Sequence, residues 1–236
     1  MDKKDKIPEH LVIIPDGNRR WAKNRNMKPW EGHMAGAEKI EELAEKALDL
    51  GIKNISFWGS SSDNLKKRPI EETRALLKIY EKYFKKLLQS KKIYDYEVKI
   101  NIIGNWRKQF PRKLKNILEE GIKKTEKYSK RTLNFFLAYN GDEEMIEAIK
   151  SIVKKVSNPK KVNGTLIKNN LLTKHLPAVD FMIRTGGEPH LSAGFMMWDM
   201  ANAQLYFCKK LFPDFGKDDL TIAIKEFSGR ERRVGK

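Results

Sequence analysis

The stretch "HLVIIPDGNRRWAKNR", residues 10–25, sets the reading of the chain. Five residues ending in Ile14 are apolar or β-branched enough for a buried strand. Pro15-Asp16-Gly17-Asn18 then breaks the run, and Arg19-Arg20-Trp21 opens a segment of helical composition. Further short apolar runs follow: "NISFW", "VKINII", "TLNFFLAY" and "VDFMI". Amphipathic stretches lie between them. In "MAGAEKIEELAEKALDLG", Ile40, Leu43, Ala44, Ala47 and Leu48 share one helical face, and Gly51 ends it. "PIEETRALLKIYEKYFKKLL" places Pro69 in a first turn with acids just behind it, which suits the helix dipole. "PRKLKNILEEGIKKTEKYS" and "DEEMIEAIKSIVKKV" repeat the pattern. Such alternation predicts an α/β domain whose mainly parallel sheet is covered by helices on both faces.

With 236 residues and no repeat or linker, the chain reads as a single domain, 1–236, with 1–9 and 229–236 as flexible or dimer-contacting tails. The formal charge of +17 calls for an anionic partner: nucleic acid, an anionic membrane surface or a phosphorylated small molecule. Lysine pairs such as Lys85-Lys86, Lys123-Lys124 and Lys154-Lys155 also read simply as solvated helix faces. The single Cys208 excludes an internal disulfide, and the four histidines show no metal-ligand spacing. No apolar run approaches the ~18 residues that span a bilayer, and "MDKKDKIPEH" has no signal core. The expectation is a soluble, cytoplasmic chain that is peripheral to the membrane at most. No recognition-helix, zinc or RNP-type signature supports specific nucleic-acid binding.

In parallel sheets, ligands bind beyond the carboxyl ends of the strands. Three segments following apolar runs are small, polar and charged: Asp16 to Arg20, Gly59 to Asn64, and Arg184 to Glu188. Gly17-Asn18 would offer backbone donors to an anion, and Arg19 and Arg20 add guanidinium forks. Asp16 would repel such an anion. It reads either as an Asx-turn cap or as a ligand of Mg²⁺ bridging carboxylate and diphosphate. "SSSDN" fits both a helix N-cap and a phosphate-binding loop. Neither GxxxxGK[ST] nor a strand-following GxGxxG is present, which argues against a conventional nucleotide site. The segment "SGRERRVGK", 228–236, is strongly basic and suits a solvated tail.

Taken in order, "HLVIIPDGNRRWA", "GHMAGAEKI", "SSSDN" with "KRP", "FMIRTGGEPHLS", "MMWDMANAQLYF", "PDF" and "RERRVG" resemble the cis-prenyltransferases of the undecaprenyl diphosphate synthase type. The resemblance spans residues 10–235. It implies a six-stranded, mostly parallel sheet flanked by helices, a hydrophobic tunnel and a homodimer. It also implies Mg²⁺-dependent condensation of an allylic prenyl diphosphate with isopentenyl diphosphate to give a Z double bond. By position, Asp16 would be the essential, metal-binding carboxylate. Gly17, Asn18, Arg19, Arg20 and His33 would line the allylic diphosphate site, with Trp21 behind them. Ser61, Asn64 and Arg68 match the loop organising Asp16 and the proton loss, Asn64 sharing the catalytic role. Arg184 and Ser192 would bind isopentenyl diphosphate, and Arg233 to Gly235 match a tail reaching across the dimer.

The departures cluster. Gln204 stands where the family has a metal-binding acid, and His190 where it has an arginine in the isopentenyl diphosphate site. Asn64-Leu65 replaces Asn-Trp with an extra residue before "RP", Lys28 or Pro29 replaces an arginine, and "SAGFMMW" is one residue longer. Two alternatives follow: irregular coupling with dimethylallyl diphosphate as second substrate, or a weakly active or accessory subunit.

Overall fold

The structure, a computed structural model, describes residues 6–230. Six strands form one sheet in the order β3-β4-β2-β1-β5-β6: β1 His10–Ile14, β2 Asn54–Trp58, β3 Val98–Ile103, β4 Arg131–Phe136, β5 Phe181–Arg184 and β6 Gln204–Phe207. Every pairing is parallel, so the mainly parallel sheet expected is parallel throughout. The helices are α1 Asn18–Lys23, α2 Pro29–Asp49, α3 Ser62–Lys67, α4 Ile70–Gln89, α5 Lys91–Asp95, α6 Trp106–Gln109, α7 Arg112–Thr125, α8 Gly141–Lys155, α9 Gly164–Asn170 and α10 Lys217–Gly229.

Strands β1, β2 and β5 are buried on both faces, which explains their unbroken apolar runs. On β1, Leu11 and Ile13 face one core cluster with Leu43 and Ala47 of α2, Phe84 of α4, Leu114 of α7 and Phe227 of α10. Val12 and Ile14 face a second cluster with Trp58, Tyr139, Phe195 and Met196. A buried polar network closes that second face. Tyr139 donates to Glu144 at 2.6 Å, Thr173 donates to Asp199 at 2.6 Å, and Lys168 pairs with Asp199. It holds the segment after Ser192 against the sheet.

Strand β1 has β2 on one side and β5 on the other, so the order of connection reverses there. At such a switch point the loops leaving adjacent strands splay apart and open a crevice. The loop after β1 carries Asp16, and Arg184 is the last residue of β5, opposite Ile14.

Candidate active site

Asp16 is held through its backbone before its side chain does anything. Its N–H donates to Thr185 Oγ1 at 2.9 Å, and that hydroxyl donates to the Asp16 carbonyl at 2.8 Å. Thr185 is fully buried, so the β1 and β5 loops are stapled side by side. Their approach also requires Gly186, which has φ +87°; a Cβ there would lie 2.6 Å from the Arg20 guanidinium and 3.1 Å from the Asp16 backbone. Gly17, at φ +103°, makes the turn into α1.

The Asp16 carboxylate emerges between two arginines. Arg184 Nη2 donates to Oδ2 at 2.8 Å, and Arg20 Nη2 reaches Oδ1 at 3.4 Å. Arg184 is buried, and its other terminal nitrogen donates to the His190 carbonyl at 2.6 Å while its Nε has no protein partner. Arg20 also approaches Glu188 at 3.7 Å.

A second carboxylate, Glu72 on α4, gathers Arg19, Arg68 and the His33 imidazole. It is 3% exposed. Its Oε1 lies 3.2 Å from His33 Nε2, 3.4 Å from Arg68 Nε and 3.6 Å from Arg19 Nε. Burial first, and the Arg68 guanidinium second, hold the His33 imidazole down at about 4, so it is neutral near pH 7. Sequence reading passed over Glu72, because nothing in "PIEETR" distinguishes a buried first-turn acid from a solvated one.

Pro15, Asp16, Asn18, His33 and Arg68 line both a 680 Å³ cleft and an adjoining 170 Å³ cavity. Gly17, Arg19 and Arg20 line the cleft as well, with Lys23 beyond them. Ser61, Asn64, Arg184 and Ser192 line the inner cavity. Ser61 is indeed the N-cap of α3, accepting from the Asn64 N–H at 2.9 Å, and still faces the cavity. The cavity then turns apolar between Ile40, Leu76, Ile79 and Phe212.

Three expected residues stand elsewhere. Trp21 is absent from both linings, because Asp214 takes its indole N–H at 2.7 Å and Arg25 stacks on its ring at 4.1 Å. It tethers α1 rather than facing the cleft. His190 is exposed and contributes its carbonyl, not its ring, to Arg184. Gln204 pairs with Phe181 at the start of β6, whereas Ile14 pairs with Arg184. That offset puts Gln204 on the order of 15 Å from Asp16 along the strand direction at ~3.3 Å per residue. Asp16 and Gln204 of one chain therefore do not share a metal ion, which corrects the pairing expected from sequence. Arg233 and Gly235 lie outside the described residues.

Among the described residues no group of three acidic, histidine or cysteine side chains could cage a metal. One partly exposed carboxylate beside a cationic cleft does fit Mg²⁺, which is commonly held by one or two carboxylates with substrate phosphates and water.

The sequence model described as "Putative undecaprenyl diphosphate synthase" matches residues 14–235. A Pyrococcus abyssi protein named tritrans,polycis-undecaprenyl-diphosphate synthase (geranylgeranyl-diphosphate specific) is 38% identical over 98% of this chain and 88% of its own length. A Thermus thermophilus isoprenyl transferase is 35% identical over 99% and 91%. The crystal structure of lavandulyl diphosphate synthase from Lavandula x intermedia, in complex with dimethylallyl diphosphate, superposes with a TM-score of 0.91 at 30% identity, covering 98% of this chain and 99% of that one. The strand-end carboxylate, its arginines and these full-length likenesses agree, and the chain belongs to the undecaprenyl diphosphate synthase family of prenyltransferases.

Proposed function

We propose that this prenyltransferase joins C1 of an allylic prenyl diphosphate to C4 of isopentenyl diphosphate, with loss of a C2 proton, a new Z double bond and release of diphosphate. The observation that carries the reading is Asp16 at the mouth of a cavity whose rim is cationic and whose depth is apolar. The C1–O bond breaks when negative charge on the departing diphosphate is dispersed where it develops. Arg19, Arg68 and His33 converge on one side for that purpose, and the backbone of Gly17 and Asn18 lies along the same cleft. Arg184 and Ser192 stand on the other side for the second diphosphate, and Arg20 lines the allylic cleft beside Asp16. Asn64 and Ser61 face the space between as the groups that guide the departing proton. Mg²⁺ held at Asp16 and phosphate oxygens would neutralise charge on the leaving group. The apolar depth keeps water from the cationic allyl fragment.

A second reading is favoured by the isopentenyl side alone. Arg184 is the one buried arginine there and His190 turns its ring outward, so the pocket fits a weaker or different second substrate, dimethylallyl diphosphate included. An accessory role is disfavoured by the complete Asp16 loop. Leu205 and Phe207 on edge strand β6, with Met197 and Trp198 nearby in sequence, leave apolar surface exposed, which supports a homodimer. No described helix is long and apolar enough to cross a membrane; the +17 charge supports a peripheral, cytoplasmic enzyme.

The test is purified protein with Mg²⁺, isopentenyl or dimethylallyl diphosphate and allylic primers, with products identified by mass spectrometry. Asp16→Ala should abolish turnover while leaving a cooperative melt. Full activity of that variant would end the assignment.

A further inference from the structure

Arg19, Arg20, Lys23 and Arg68 of the active cleft account for only a small part of the +17 charge. A second concentration of cations lies at the opposite pole of the sheet. There the amino ends of β1, β2 and β4 and the connection entering β5 enclose an open groove of 740 Å³. Lys53, Lys130, Arg131 and Lys174 line it with His175, against one carboxylate, Glu9. Asp16 stands seven residues beyond Glu9, so at ~3.3 Å per residue the groove lies roughly 20 Å from the active-site carboxylate. Its walls are tied together by backbone and buried polar groups. The Asn54 N–H donates to the Glu9 carbonyl at 3.0 Å, and the Thr132 N–H to the Lys53 carbonyl at 2.8 Å. The fully buried His10 imidazole, whose pKa burial lowers, is neutral near pH 7. It donates through Nδ1 to the Pro177 carbonyl at 2.9 Å and accepts from the Ser56 hydroxyl at 2.8 Å. That pins the segment carrying Lys174 and His175 against β1 and β2.

The cations in the groove are weakly compensated. Arg131 is oriented by donating from Nη1 to the Tyr96 carbonyl at 3.2 Å, with its guanidinium 5.1 Å over the Tyr96 ring. Lys130 pairs with Glu97. Lys53 comes only within 3.9 Å of Glu9, both side chains being more than half exposed. The Lys174 ammonium is paired with no carboxylate among the described residues. Along α2, by contrast, Lys39, Lys86 and Lys92 each meet a glutamate at 2.7 Å. The volume suits a small ligand, but the lining is charged where most such sites are apolar. Among the described residues no Phe, Tyr or Trp lines the groove, so a nucleobase has nothing to stack on. Its concave shape also leaves a flat bilayer surface out of reach of the floor. We propose that this groove is a second anion site, which takes a compact polyphosphate of the diphosphate class or longer. A charge-dense ion of that kind bridges cations brought together from three separate segments and relieves their repulsion. It binds the folded chain alone, since only folding assembles the groove. The inference stands apart from the coupling reaction.

The experiment titrates sodium tripolyphosphate calorimetrically into the Mg²⁺-free protein at fixed ionic strength. Wild type should show two classes of site, one in the active cleft and one in the groove. Lys53→Gln/Lys174→Gln removes two exposed charges far from the cleft and should weaken one class about tenfold, the combined worth of two exposed charge pairs. Its kcat and KM on prenyl diphosphates should stay unchanged. Arg68→Gln should weaken the other class and spare this one. A single class that survives in Arg68→Gln and is lost in the double variant upholds the groove while refuting the diphosphate role of the cleft. A single class lost only in Arg68→Gln, or a double variant that binds as wild type does, overturns the proposal. So does an equal loss in Lys160→Gln/Lys161→Gln, which would reduce the effect to overall charge. Retention on phosphatidylglycerol vesicles or single-stranded DNA that needs Lys53 and Lys174 yet resists tripolyphosphate assigns the surface to a macromolecule, and overturns it too.

Discussion

Glu72→Gln gives the sharpest test of how the cleft is organised. Glu72 is a buried anion inside a site meant for anions, which makes sense if it keeps Arg19 and Arg68 converged by offsetting their mutual repulsion, with the neutral His33 imidazole hydrogen-bonded beside them. At ~3.4 Å and an effective dielectric of ~20, one such pair is worth a gross attraction of about 5 kcal/mol. Arg19 is 58% exposed and contributes little of that, while Arg68, at 15%, retains most. Removing one partner of a buried pair commonly destabilises by about 3–5 kcal/mol; with solvent around Arg19, we expect about 2–3 kcal/mol here. For a chain of this size that is a fall in Tm of about 4–12 °C. Inorganic pyrophosphate should then close the gap, because its charge takes the place of the lost carboxylate. The variant should bind pyrophosphate about tenfold more tightly than wild type, equivalent to about 1.4 kcal/mol. Scanning fluorimetry across a pyrophosphate titration at fixed ionic strength reads both quantities. Equal stabilisation of the two proteins, or weaker binding by the variant, would refute the counter-charge argument and move the diphosphate away from Arg19 and Arg68.

His33 is held at about 4 against an ordinary 6.5, so the unfolded chain binds the extra proton first as pH falls. Its contribution is complete above pH 6.5 and is lost on descending toward pH 4, a loss of roughly 3 kcal/mol. His33→Gln should flatten the wild-type fall in Tm across that window, and parallel curves would sink the idea. Thr185→Val keeps the shape but removes the hydroxyl that fixes the Asp16 backbone. It should lower stability by about 1–3 kcal/mol and lower kcat more than KM; an unchanged kcat would show that Asp16 needs no staple. Gln204→Glu should leave the Mg²⁺ dependence of turnover where it is, given the separation along β6. A tightened dependence would place Gln204 of a second chain at the cleft.

The strands and long helices were legible because burial imposes composition. "HLVII", "NISFW" and "VKINII" match β1, β2 and β3 residue for residue. β4 stops at Phe136, short of the "TLNFFLAY" run, because Ala138 leaves the extended region with φ 50°. Strand β6 escaped the periodicity reading, being four residues at an edge, and only the family resemblance implied it. Helix α2 begins at Pro29, before the apolar face is apparent, through a Glu31 carboxylate that accepts the Lys28 N–H at 2.7 Å. The loops at strand ends pointed to the site, since parallel topology leaves few other places for polar residues. What sequence spacing could not supply were contacts across long separations: Asp16 with Arg184, Glu72 with Arg19, and His10 with Pro177. These depend on how helices dock, and no local pattern encodes that.

The position of β1 has a consequence for biosynthesis. Of the six described strands β1 is made first and is one of the two innermost, and one of its flanks stays bare until β5, some 170 residues later, arrives to pair Leu11 with Phe181. No hairpin shortens that wait, because every pairing is parallel and must close a long loop before it is rewarded. Nascent chains must therefore carry an uncovered apolar edge while the residues between β1 and β5 are made, a natural foothold for chaperones. Asp16 meets Arg184 only once β5 has been made, so chains that stop before it lack half of the carboxylate's arginine pair as well as the cover for that edge.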